Sequence, residues 1–207
     1  MLSRRRLVVL VLLAAAGAGA AALLLGTLGP AQCPREGCAL TAATREFVLL
    51  KNREAAPKES DFDPRATLDA VLETGEDSAR WSESRAAAFE GYVVEVAAGG
   101  IEASNCYSLA RRDVHIHVAR TASAPSRGGV VAEVTPPWAE GARARGEDWS
   151  LEALRRRLAG RRVRLEGWLL FDREHAGESE NTAPGRAANW RATAWELHPV
   201  TRITILD

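Results

Sequence analysis

From residue 89 onward the apolar residues stop recurring at helical spacing and begin to alternate, and this change of period sets what the chain can fold into. Alternation puts successive side chains on opposite faces of a strand. FEGYVVEVA predicts a first strand at 89–97 and DVHIHVA a second at 113–119, with Val114, Ile116 and Val118 on its buried side. VVAEVTPPW predicts a third, ended by Pro136 and Pro137, because proline cannot donate to a sheet ladder. A helix follows, with Ser150 as its cap, Leu151, Leu154 and Leu158 as its apolar stripe and Gly160 as its stop. VRLEGWLLFD and TAWELHPVTRITIL predict the last two strands, the second bent at Pro199.

Three strands, a helix and two strands is the element order of the OB-fold. On that order, and on GRRVRLEGWLLFD followed by WELHPVTRITIL, residues 89–207 resemble an OB-fold domain and are similar to uncharacterised bacterial membrane-anchored or exported OB-like proteins. The resemblance implies a mainly β fold, a five-stranded Greek-key barrel (β1-β2-β3-α-β4-β5). It implies no activity, because many functions share such barrels.

Upstream, residues 31–88 read as a juxtamembrane cysteine loop and a helical extension. TAATREFVLLKNR has Thr41 as a cap, and DPRATLDAVLETG has Asp63 as a cap with Pro64 in the first turn. Residues 1–30 form a signal or anchor segment. Arg4, Arg5 and Arg6 precede an uncharged stretch at 7–28, and about 20 apolar residues suffice to cross a bilayer. The arginines stay on the cytoplasmic side, so the remaining chain is exported. The length favours a retained single-pass hydrophobic helix. Cleavage near Gly29-Pro30-Ala31 would instead release a secreted protein.

An exported chain meets an oxidising compartment, so its three cysteines can pair. CPREGC suggests Cys33 with Cys38; Cys38 with Cys106 is the alternative. Charge excludes a general nucleic-acid binder. The chain has 27 basic and 27 acidic residues, three of the basic ones precede the apolar stretch, and the rest is therefore mildly acidic. The partners this leaves are the membrane, through residues 7–28, and an envelope protein or a polysaccharide.

The candidate ligand surface combines the second strand with the two long loops around it, 98–112 and the loop before the last strand. Its residues are Asp113, His115, His117, Tyr107, His175, Asn181 and Trp190. His115 and His117 share a face and point away from the core, as either the wet side of an ordinary strand or a pair of metal ligands. A zinc-like divalent ion would need a carboxylate or a third histidine, His175 or His198, to complete the set, although no cofactor is the default expectation. The sequence predicts a non-catalytic binding or assembly module, with a metal-dependent hydrolase at His115 and His117 as the alternative. No HExxH, Gly-x-Ser-x-Gly or phosphate-loop motif is present.

Overall fold

The computed structural model describes residues 33–206 of the 207. Five strands appear in the expected order: β1 (Ala86–Ala98), β2 (Val114–Ala119), β3 (Val130–Val134), β4 (Arg162–Phe171) and β5 (Trp195–Ile205). They form a closed barrel in the order β1-β2-β3-β5-β4. β1 is the closing element because it is long enough to serve two neighbours. Ala86 to Tyr92 pair with β4, and Tyr92 to Ala98 pair with β2. All pairings are antiparallel except the short parallel contact between β3 and β5, Val131 to Glu196 and Ala132 to Leu197. The inward faces supply Phe89, Val93, Ile116, Val118, Leu165 and Leu197, all fully buried.

Two helices, not one, join β3 to β4. α3 spans Pro136–Ala144 and α4 spans Leu151–Leu158. The two prolines expected only to end β3 also begin α3. They occupy its first turn, where a missing N–H is not needed and the fixed φ already suits a helix. α4 follows the expected pattern. Ser150 accepts a hydrogen bond from the Ala153 amide, and Leu154 and Leu158 are completely buried. Its arginines lie in the last turn, where the helix dipole favours cations.

In the extension, α1 (Ala42–Lys51) is capped by Thr41 as expected. The second helix is a correction. α2 is only Leu68–Val71, and its cap is Thr67. Asp63 is taken by Arg65 instead, binding both its amide and its guanidinium, so it is not free to cap. Ala66, Leu68, Val71 and Leu72 enter the same core as the barrel residues, so the segment before residue 89 packs as part of the barrel unit. Among the described residues no helix is long and apolar enough to cross a membrane, and the anchor expected at 7–28 lies outside them.

The cysteine pairing is also corrected. Cys33 is bonded to Cys106, with Cα atoms 5.8 Å apart, and Cys38 is free. The backbone explains the choice. The Cys38 amide bonds the Ala103 carbonyl, and the Asn52 side chain bonds the carbonyls of both Arg35 and Ser104. These bonds lay residues 33–38 against the loop that carries Cys106.

Candidate functional site

β2 alternates as its sequence predicts, with Val114, Ile116 and Val118 inside and His115 and His117 outside. The outer face, however, is not wet. Asp113 is 2% exposed and His117 5%. The polar residues of the neighbouring strands share this face. His115 pairs in register with Glu133 of β3, and Val131 pairs with Glu196 of β5, so Glu133 and His198 each stand two residues further along that face. Lys51 of α1 and Arg191 of the 172–194 loop are buried with them.

The result is a buried ionic network. Arg191 is fully buried, and donates Nη1 to Asp172 Oδ2 at 2.7 Å, Nη2 to Glu196 Oε2 at 2.5 Å and Nε to the Thr193 carbonyl at 2.9 Å. His198 Nδ1 lies 3.0 Å from Glu196 Oε1 and 3.2 Å from Glu133 Oε2. His115 Nε2 is 3.2 Å from Glu133 Oε1, within ion-pair range but outside hydrogen-bond geometry. Gly99 allows that position, because a side chain there would begin 2.7 Å from His115 Nε2. Lys51 is ion-paired with Glu102.

Burial and charge compete throughout this network. Burial alone would lower the His115 imidazolium, but Glu133 outweighs it and its pKa rises to about 9. Burial would likewise lower His198, and Glu133 again reverses the direction. The Glu133 carboxyl is held well below its usual range, because His115 and His198 overcome its own desolvation. Asp113 goes the other way, as burial pushes it up to about 6. Burial lowers His117, against a weaker upward pull from Glu95, its partner on β1.

Beside this network an open cleft of about 370 Å³ is lined by His115, His117, His175, Trp190, Glu95 and Glu178. The Trp190 ring is its hub. His115 stacks nearly parallel with centroids 6.1 Å apart, while His117 and His175 approach at an angle, at 5.8 and 5.7 Å. The indole donates to Glu178 Oε2 at 2.6 Å, and the Arg191 guanidinium carbon lies 5.0 Å from its centroid. Four of the sequence-predicted ligand residues, His115, His117, His175 and Trp190, therefore converge. The others do not line the cleft. Tyr107 sits on the 98–112 loop, 45% exposed. Asn181 bonds Asp77 and the Glu73 carbonyl, strapping its loop to the extension. Asp113 belongs to the buried network.

The four histidines do not gather into one metal set. Among the described residues, the three donors that come within 4.8 Å of one another are Asp113, Glu133 and His198. His198 is parted from His115 by Glu133 of β3, which stands between the two imidazoles. Glu133, Glu196, Asp172, Arg191 and Lys51 were not anticipated. Glu133 and Glu196 carry one signal, a charge inside an apolar strand, in VVAEV and WELH, whereas Lys51, Asp172 and Arg191 lie outside the strands and carry none. Comparison with known proteins finds no family model, curated protein or solved structure that matches the chain.

The pairing of His175 with Asp172, Nδ1 to Oδ2 at 2.7 Å, makes a pH prediction. The hydrogen bond to Asp172 raises the His175 pKa above its ordinary value. A raised imidazole contributes stability that is fully present below about pH 6.5 and is lost as pH climbs through its folded pKa. In thermal melts, the gap between the parent and His175→Gln should thus be widest near pH 6 and should narrow as the solution becomes alkaline. A gap that is constant from pH 6 to 9 would mean that His175 carries no proton in the pair.

Proposed function

We propose that this chain is a non-catalytic extracytoplasmic binding module on an OB-like barrel, anchored through residues 7–28, and that its ligand occupies the cleft around Trp190. The observation that carries this reading is the convergence of three imidazoles, three carboxylates (Glu95, Glu102 and Glu178) and one indole on a single cleft. The strand order, and the helical connection between β3 and β4, support the OB-like barrel, whose ligands engage the face of strands two and three and the loops flanking it.

The lining selects among ligands. It mixes donors and acceptors and has no concentration of arginine or lysine to neutralise phosphates. A neutral ligand rich in hydroxyl and amide groups suits it, and in an exported protein an envelope polysaccharide has that chemistry. A hydrolase is the weaker reading, because the groups able to hold an ion, Asp113, Glu133 and His198, are at most 2% exposed and out of reach of a polymeric substrate.

Titration of the full chain with N-acetylhexosamine oligosaccharides, followed by calorimetry, tests the proposal. Glu95→Gln changes one exposed acceptor in the cleft. It should weaken binding about tenfold, the loss expected for one charge-assisted hydrogen bond, without moving the melting temperature. No heat of binding at millimolar oligosaccharide would reject the ligand class. Binding unaffected by Glu95→Gln and by Trp190→Phe would reject the cleft.

A further inference from the structure

We propose that Asp113, Glu133 and His198 form a site for one divalent transition-metal ion, buried in the barrel wall beneath the extension. The site does not depend on what the cleft binds.

Three strands contribute. Asp113 directly precedes β2, Glu133 lies on β3 and His198 on β5, and one donor atom from each falls within 4.8 Å of the others. Their burial makes the arrangement informative. Asp113 is 2% exposed, yet neither Oδ1 nor Oδ2 meets a hydrogen-bond donor. Glu133 Oε2 and His198 Nε2 are likewise buried without a hydrogen bond. Folded proteins rarely leave buried polar atoms unsatisfied, least of all both oxygens of a carboxylate.

The charge inventory points the same way. The guanidinium of Arg191 is committed to Asp172 and Glu196, and the Lys51 ammonium to Glu102. Glu133 is ion-paired only with the imidazoles of His115 and His198, Asp113 has no ion pair, and the Lys51 ammonium acts on both carboxylates from a longer distance. A divalent ion would balance both carboxylates. Glu196 stands 3.0 Å from His198 Nδ1 and Glu133 Oε2 3.2 Å from the same nitrogen, so carboxylates orient the ring, while Nε2 is buried with no hydrogen bond. Carboxylates commonly hold metal-binding imidazoles in this way.

Two carboxylates and one imidazole suit manganese, iron(II) or zinc. Donors about 2.1 Å from a tetrahedral ion stand about 3.4 Å apart, a spacing that lies within the 4.8 Å limit on these three donors. Both Asp113 oxygens are unengaged and can bind together, which would bring the donor atoms to four.

The full chain, purified in detergent without chelator or immobilised-metal resin, should carry about one equivalent of metal by elemental analysis. Asp113→Asn should lose it, while Glu95→Gln, in the cleft, should keep it. Since Asp113→Asn could also disturb folding, the parent provides a second measurement. After stripping with EDTA, Zn2+ or Mn2+ at a hundredfold excess over Kd should raise its melting temperature by about 5 °C or more, reversibly. A metal-free parent whose melting temperature neither ion moves would overturn the site. So would metal that persists in Asp113→Asn.

Discussion

Arg191→Met is expected to destabilise the protein by about 3–5 kcal/mol, the cost of removing one partner from a buried ion pair. The loss comes from what stays behind. Arg191 is fully enclosed, and its two terminal nitrogens serve Asp172 and Glu196, both also enclosed. Methionine fills much of the volume but leaves two carboxylates in a medium that solvates them poorly. Arg191→Lys should recover only part of the loss, because an ammonium cannot span both acceptors as the planar fork does. Adding Asp172→Asn and Glu196→Gln to Arg191→Met should restore much of the stability, since the orphaned charges are then gone. Urea unfolding of the full chain, followed by tryptophan fluorescence, measures each step. A cost below about 1 kcal/mol for Arg191→Met would show that water reaches these carboxylates.

Cys33→Ser is expected to cost about 4 kcal/mol under oxidising conditions. The Cys33–Cys106 bond closes a segment with a sequence separation of 73, and a cross-link of that span removes a large part of the unfolded chain's freedom. It also holds the start of the described chain against the loop before β2. Cys38→Ser should change stability little, because Cys38 is unpaired. A reducing agent should bring the parent down to the level of Cys33→Ser and leave that variant where it is. Peptide mapping without reduction should recover Cys33 joined to Cys106. Recovery of a Cys33–Cys38 peptide, with a much smaller effect of reduction, would sink this pairing.

The strands were legible because burial on one face imposes a period of two, and that period is local. Val114, Ile116 and Val118 announce β2 without reference to any other segment, and Ser150 and Thr41 announce their helices through a side chain that reaches an amide three residues on. The start of α3 was read only as the end of β3, because Pro136 and Pro137 satisfy both roles and only the packing separates them. Asp63 was misread as a cap for a similar reason. An aspartate before a proline resembles a cap until a guanidinium two residues away claims it.

The candidate site divides along the same line. That His115 and His117 share a face follows from strand geometry alone, and Trp190 and His175 could be placed near them because their loop is long. What that face meets could not be read. A polar residue on the outer face of a strand looks the same in sequence whether it faces water or a second layer of chain. Here α1 brings Lys51, the loop before β2 brings Glu102, and the loop before β5 brings Asp172 and Arg191.

The sequence by itself determined the alternating strands, the caps at Thr41 and Ser150 and the direction in which each side chain leaves its strand, since all of these rest on contacts within a few residues. Only the tertiary structure decided that Cys33 meets Cys106, that Asp113, Glu133 and His198 share one place, and that three histidines ring Trp190. The physical reason is the distance along the chain. Those groups meet because barrel closure and the segments packed outside it bring remote residues together, and the cost of burying their charges is settled only once all of them have arrived.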